Sequence, residues 1–203
     1  NPLIKEHNVA PLLNHPAFDL IRLDITNYEA LFSQVKNKYD VIVHIAAKAG
    51  VRPSILDPLG YEEANVKGTI NLLEFARLNN IKQFVFASSS SVYGTNPNVP
   101  WTEESQIEHI ISPYAGTKRA AEIQGKIYSH LHDIRFIALR LFTVFGPKQR
   151  PDLAIHKFAK LILKHDPITL YGNGNTVRDY TYIDDIADAF CSAIEYEETM
   201  FEI

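Results

Sequence analysis

Short, nearly continuous apolar runs separated by longer amphipathic stretches constrain this chain more than any other feature. "VIVHIA" (Val41 to Ala46), "FVFAS" (Phe84 to Ser88) and "FIALRLF" (Phe136 to Phe142) are rich in β-branched and aromatic residues, and "FDLIRLD" (Phe18 to Asp24) is similar. Runs of this kind suit strands of a parallel sheet covered on both faces. Helical periodicity fills the intervals at Tyr28 to Lys38, Tyr61 to Leu78 and Tyr114 to Leu131. The last carries Ala120, Ile123, Ile127 and Leu131 at spacings of three and four, which predicts an apolar stripe laid on the sheet. The alternation predicts a doubly wound α/β fold, Rossmann-like in its parallel sheet.

After Phe142 the texture changes. "GPKQRPD" reads as a loop, Leu153 to His165 as a helix, "ITLYG" as a short strand, "GNGN" as a turn and Ile183 to Glu195 as a closing helix. The expected division is a partial α/β domain over residues 1–142 and a second partial region over residues 143–203, with the final helix returning to the first domain.

Composition excludes more than it assigns. The chain has 203 residues, of which 46% are hydrophobic and 22% charged, with a net charge of -4, values ordinary for a globular protein. Its lysines and arginines are scattered, so neither nucleic acid nor an anionic membrane is the expected partner. Cys191 is alone, which excludes an internal disulfide and points to a reducing, cytoplasmic setting. The histidines are spread singly (His7, His15, His44, His109, His130, His132, His156, His165) without metal-ligand spacing, so no metal site is expected. No run approaches a membrane span, and the opening "NPLIKEHNVAPLL" lacks the basic start and apolar core of a signal peptide.

Ligands in doubly wound folds sit outside the carboxyl ends of the strands. Those ends carry Asp24, then Ala46, Ala47 and Lys48, then the run Ser88 to Ser91, then Thr143. Beyond the serines comes "SPYAGTKRAAE", where Tyr114 and Lys118 are four apart and share one helix face. A phenol is a poor base at neutral pH, but a nearby ammonium favours the phenolate, so the pair can exchange protons with a substrate.

With these features together, the sequence resembles the extended short-chain dehydrogenase/reductases, the NAD-dependent nucleotide-sugar epimerases and dehydratases. The resemblance rests on "HIAAKAGVRPSILDP", "NVKGTINLLEFAR", "SSSSVYG", "SPYAGTK", "LRLFTVFGP" and "VRDYTYIDDIADA", in family order. "FTVFGPKQRPDLA" resembles the UDP-glucuronate 4-epimerase branch. The resemblance implies that Ser89 bonds the sugar 4-hydroxyl, that Tyr114 takes its proton, and that Lys118 holds the nicotinamide ribose and tunes Tyr114. It further implies that hydride passes from sugar C4 to NAD and returns on the other face of a 4-keto sugar. Asp24 and Ile25 match the pair near adenine, Ala46, Ala47 and Lys48 match the strand end lining the cofactor, and Asn65 matches a structural asparagine near the nicotinamide. Ser90, Thr143, Arg150 and Arg178 match positions near the sugar and diphosphate. The related dehydratases and decarboxylating xylose synthases carry carboxylates just after the catalytic hydroxyl; Ser90 and Ser91 stand there here, which favours epimerisation. Open alternatives are a UDP-glucose or UDP-N-acetylglucosamine 4-epimerase, a keto-sugar reductase, and a non-enzymatic protein that kept the fold.

One departure from the family is plain. Its glycine-rich phosphate turn has no counterpart, since the first glycine is Gly50. The chain is therefore expected to be an internal fragment that lacks the family's first β-α-β segment and binds NAD weakly by itself. Homodimerisation through the Tyr61 to Leu78 and Tyr114 to Leu131 helices is expected by the same resemblance.

Overall fold

The computed structural model describes residues 2–170, 173–174 and 177–203. Contacts gather the chain into two compact units. One comprises Leu23–Phe142 with Ala187–Ile203; the other comprises the chain up to Arg22 with Thr143–Ile186.

The larger unit is built on a parallel sheet. β1 (Val41–His44), β2 (Gln83–Ser89) and β3 (Arg135–Leu141) come from three of the apolar runs, and a two-residue strand near the C-terminus, Phe201–Glu202, completes it. Their order is the chain order, each strand parallel to its neighbour, with His44 opposite Phe86 and Ser88 opposite Arg140. An α-helix at Tyr28–Gln34 precedes β1, and α-helices at Val51–Leu56, Pro58–Glu62, Gly68–Leu78 and Pro113–His132 run between β1, β2 and β3. The fold is the parallel α/β arrangement that the sequence predicts.

Aromatic rings fill the core. Phe84, Phe86 and Phe136 are fully buried; Phe136 lies 5.4 Å from Phe84 and 6.0 Å from Phe201, both stacked. The long helix Pro113–His132, hereafter the site helix, packs against them. Its start is set locally: Ser112 Oγ accepts from the Ala115 amide at 3.2 Å and Pro113 occupies the first turn, which satisfies orphan donors and pre-sets φ. It ends at Asp133 in the left-handed region, φ 53°.

Several expectations are corrected. The site helix does not lay its branched stripe on the sheet: Ile123, Ile127 and Leu131 are 46%, 41% and 62% exposed, whereas Ala115, Thr117, Lys118, Ala121, Glu122, Gly125 and Ser129 are buried. The sheet's own phenylalanines take up the space, so the helix must present small and polar residues; a Cβ on Gly125 would fall 2.3 Å from the Phe136 ring. Phe18 to Asp24 is not a strand, because no described segment forms a ladder with it. The helix starting at Tyr28 stops at Gln34. Tyr61 to Leu78 is not one α-helix: a π turn at Glu63–Lys67 joins Pro58–Glu62 to Gly68–Leu78, and inserted turns of this kind re-aim side chains.

In the smaller unit, α-helices occupy Pro2–Val9 and Ala154–Leu163, and the strands Thr143–Phe145 and Tyr180–Tyr182 pair in parallel. The expected strand at "ITLYG" is not formed over residues 168–170, and its Tyr171 and Gly172 lie outside the described residues. Of the expected "GNGN" turn, Gly172 and Asn175 are likewise outside them. The closing helix runs over Ile183–Glu195, as the sequence predicts.

Candidate active site

The ends of β1 and β2 and the first two turns of the site helix meet through buried hydrogen bonds. Ser89 closes β2, and its hydroxyl donates to Ser91 Oγ at 3.1 Å and accepts from the Ser91 amide at 3.2 Å. The chain then enters a 3-10 turn over Ser90–Tyr93, with Ser90 and Ser91 half-buried. Gly94 follows with φ 60°, and a Cβ there would strike the His109 carbonyl oxygen, so the turn admits only glycine.

Tyr114 is the second residue of the site helix, half-buried, its ring edge-on to Tyr61 at 6.2 Å. Lys118, one turn on, is buried; its ammonium donates to the Ala87 carbonyl at 2.7 Å and lies 4.6 Å from the centre of the Phe86 ring. Burial lowers the Lys118 pKa to about 8, against the opposing pull of the Glu122 carboxylate. The helix carrying Tyr114 is thereby bonded to β2 two residues before Ser89.

Asn65 sits in the π turn and is buried. Its Oδ1 accepts from the Lys48 amide at 2.8 Å, and its Nδ2 donates to the Lys48 carbonyl and to Thr117 Oγ1, both at 3.0 Å. Thr117 in turn donates to the Tyr114 carbonyl at 2.8 Å. One amide therefore pins the segment after β1 to the helix turn that holds Tyr114. Ala46, Ala47 and Lys48 line the exposed side of that segment, and Lys48 Nζ pairs with Asp57 at 2.8 Å.

Thr69 Oγ1 donates to the Asn65 carbonyl, so the His44 Nε2 that meets Thr69 at 2.9 Å is the donor in that contact. His44 Nδ1 is left as a bare, buried acceptor. Burial, with Lys118 nearby, lowers the His44 pKa to about 3, so the ring is neutral.

Asp24 is exposed, and its carboxylate caps a turn by accepting from the Thr26 amide at 2.9 Å. That bond is the main reason its pKa lies below the usual carboxylate range. Ile25 gives its carbonyl to Asn71 at 2.8 Å and rests on Gly68, where a Cβ would meet it at 2.8 Å. In the smaller unit, Thr143 opens its strand and pairs with Tyr180. Arg150 is gripped by Asp152, Nε to Oδ1 at 3.1 Å and Nη2 to Oδ2 at 2.5 Å, and Arg178 is exposed and donates to the Val177 carbonyl.

Sequence reasoning did not single out Thr117, His44, Glu122 or Arg140. Glu122 had a signal: a carboxylate four residues after Lys118 shares its buried face. Arg140 had none, because an arginine inside an apolar strand reads as a chance interruption. Among the described residues, no group of three or more His, Cys, Asp or Glu could hold a metal ion, and no helix is long and apolar enough to cross a membrane.

A parallel α/β unit with hydroxyl, phenol and buried ammonium groups gathered near its strand ends defines a Rossmann-like dinucleotide-binding class of fold. Residues 3–203 match the family model described as "NAD dependent epimerase/dehydratase family", and the chain belongs to that family. It is 42% identical over 173 residues to a UDP-glucuronate 4-epimerase of Thermodesulfobacterium geofontis, covering 84% of this chain and 53% of the relative. Among solved structures it is similar to the UDP-glucuronic acid 4-epimerase of Bacillus cereus in complex with UDP-glucuronic acid and NAD. The TM-score is 0.88 at 34% identity, over 99% of this chain and 63% of that one. The dTDP-glucose 4,6-dehydratase DesIV of Streptomyces venezuelae gives a TM-score of 0.89 at 28% identity, over 97% of this chain and 61% of the enzyme. The chain thus spans between about half and just under two thirds of these relatives.

Proposed function

We propose that Ser89, Tyr114 and Lys118 form the centre of an NAD-dependent UDP-sugar 4-epimerase, with UDP-glucuronate to UDP-galacturonate as the favoured conversion. The observation that carries the reading is the bond from buried Lys118 to the Ala87 carbonyl. It fixes the turn bearing Tyr114 beside the strand that ends in Ser89.

The nicotinamide end of NAD fits the residues present. Lys118 is a buried cation that donates to a carbonyl rather than a carboxylate, and the Ala46–Ala47 shelf lacks bulk that would obstruct a flat ring. Lys118 would bond the ribose, Asn65 would hold the shelf in place, and Asp24 and Ile25 would flank the adenine side. NAD, when bound, supplies a reversible hydride acceptor at sugar C4. Ser89 Oγ, then turned from Ser91 to the substrate, bonds the 4-oxygen. Tyr114 takes the 4-hydroxyl proton as C4 loses hydride, and returns it when the 4-keto sugar is reduced on its opposite face, so no net oxidation results. Ser90 contributes a hydroxyl to the sugar, and Thr143, Arg150 and Arg178 serve the sugar and diphosphate, where a guanidinium suits bidentate contact.

Ser90 and Ser91 favour this reading over a dehydratase, since neither hydroxyl can serve as the additional acid or base that eliminating water requires. The similarity to UDP-glucuronate 4-epimerases supports the choice of sugar. A homodimer in a cytoplasmic setting belongs to the same reading. The exposed Ile123, Ile127 and Leu131, and the groove lined by Leu59, Val66 and Ile70 together with Glu62, Glu63 and Lys67, support helix-to-helix association. The test gives the full-length protein UDP-glucuronate, UDP-glucose and UDP-N-acetylglucosamine separately and follows C4 inversion by proton NMR. Inversion of UDP-glucuronate is expected; conversion of UDP-glucose but not UDP-glucuronate would sink the substrate choice.

A further inference from the structure

The proposed mechanism makes no use of Glu122, a carboxylate with no solvent exposure at all. Its Oε1 accepts from Ser88 Oγ at 2.5 Å and from Arg140 Nε at 3.0 Å; its Oε2 accepts from Arg119 Nη1 at 2.8 Å and Arg140 Nη2 at 3.1 Å. Burial pushes the Glu122 carboxyl up, but the bonds from Arg140, Ser88 and Arg119 outweigh it, and the group stays below the usual range as a carboxylate. Arg140 goes on to the Tyr93 hydroxyl at 3.3 Å and the Glu103 carbonyl at 3.1 Å. One carboxylate therefore joins the strand leading into Ser89, the adjacent strand, the turn after Ser89, and the helix that carries Tyr114 and Lys118.

Stability alone is a weak reason for such a joint, because neutral replacements for buried ion pairs are often no less stable. Packing supplies a better one. Apart from Lys118 and Glu122, the buried helix face is made of the short residues Ala115, Thr117, Ala121, Gly125 and Ser129, so no large apolar side chain locks its position along β2 and β3. A directional polar joint does what interlocking side chains do elsewhere. Glu122 also follows Lys118 by one helical turn on the same face. The titratable and charged groups facing this pair are His44 on β1, Tyr114 and Arg119 on the helix itself, Tyr93 in the 3-10 turn and Arg140 on β3. His44 is neutral, so Glu122 is the anion among them.

We propose that Glu122 is a positioning residue for Ser89, Tyr114 and Lys118: it seats the site helix on the ends of β2 and β3 and supplies the charge that compensates the buried Lys118 ammonium. The inference rests on the reading of that site given above.

The test uses the full-length protein and three variants, Glu122→Gln, the doubly neutral Glu122→Gln/Arg140→Gln, and Ser88→Ala. Melting temperature, kcat and KM against pH, and the pH titration of the Lys118 ε-carbon by 13C NMR, assigned with Lys118→Met, are measured. Glu122→Gln should melt lower, since it leaves Arg140 buried and unpaired, and the double variant should recover most of that loss. Both should keep KM within about threefold while kcat falls by about tenfold or more, and in Glu122→Gln Lys118 should titrate about one unit lower. A double variant that recovers kcat along with melting temperature, or a Glu122→Gln variant that leaves the Lys118 titration unmoved, would overturn the proposal. Where neither charge variant folds, Ser88→Ala decides: a several-fold fall in kcat with little change in melting supports the joint, and wild-type kcat refutes it. If the wild type inverts no UDP-sugar, the epimerase reading fails on that result and the Lys118 titration alone decides this one.

Discussion

Gly125→Ala should loosen the site helix from the sheet, and the same helix contains its own control. A Cβ at Gly125 would lie 2.3, 2.4 and 2.4 Å from three carbons of the Phe136 ring. Carbon atoms rest about 3.5–4.0 Å apart, so the gap must open by more than an ångström. The ring cannot yield, because Phe136 has no exposed surface and stacks against Phe84 and Phe201. The helix must back away instead. Overpacking of this kind costs about 1–3 kcal/mol, and alanine's better helix propensity offsets about 1 kcal/mol of it. A net loss of up to about 2 kcal/mol lowers the melting temperature of a chain this size by up to about 8 °C. At Gly116 nothing lies within 4 Å of the added carbon, so Gly116→Ala gains the propensity without the clash. Thermal unfolding followed by circular dichroism should place Gly125→Ala below wild type and Gly116→Ala at or above it. Equal melting of the two variants would refute the close approach and with it the explanation of why the helix turns its branched stripe outward.

Other consequences are equally direct. Tyr114→Phe should abolish epimerisation while leaving UDP-sugar affinity, measured by calorimetry, nearly unchanged; retained turnover removes Tyr114 from the mechanism. Asn65→Asp puts an acceptor opposite the Lys48 carbonyl and Thr117 Oγ1, at a cost of about 2–3 kcal/mol, and should speed amide exchange at Lys48. Since the folded pKa of His44, about 3, lies below its unfolded value, its neutral burial stabilises the fold fully above about pH 6.5 and progressively less as pH falls toward 3. The loss is on the order of 5 kcal/mol over that window. The difference in urea midpoint between wild type and His44→Gln should therefore narrow with acidification; a constant difference would contradict it.

The strands β1 to β3 were legible because each is a nearly continuous apolar run, and the site helix was legible from its periodicity, expected from Tyr114 and observed from Pro113. Spacing alone placed Tyr114 and Lys118 on one helix face, and the resemblance supplied the roles proposed for them. The outward stripe of Ile123, Ile127 and Leu131 was not legible. Periodicity shows that a helix has an apolar side, and cannot say whether the sheet beneath already carries phenylalanines that fill the space. Phe18 to Asp24 has a strand's composition, yet a strand also needs a hydrogen-bonding neighbour, which is a long-range property. The π turn at Glu63–Lys67 leaves no mark in the periodicity, although it aims Asn65 at Lys48. Glu122 and Arg140 are far apart in sequence and meet only because their helix and strand are adjacent in the fold.

The central claim is reversible oxidation at sugar C4, with the hydride removed and returned by the same enzyme-bound carrier. Running the full-length protein with NAD and UDP-glucuronate in D2O tests it most directly. The account predicts a UDP-galacturonate product that retains protium at C4, with no accumulation of NADH. Deuterium at C4 of the product would mean that the carbon exchanges a proton with solvent, and would contradict the account.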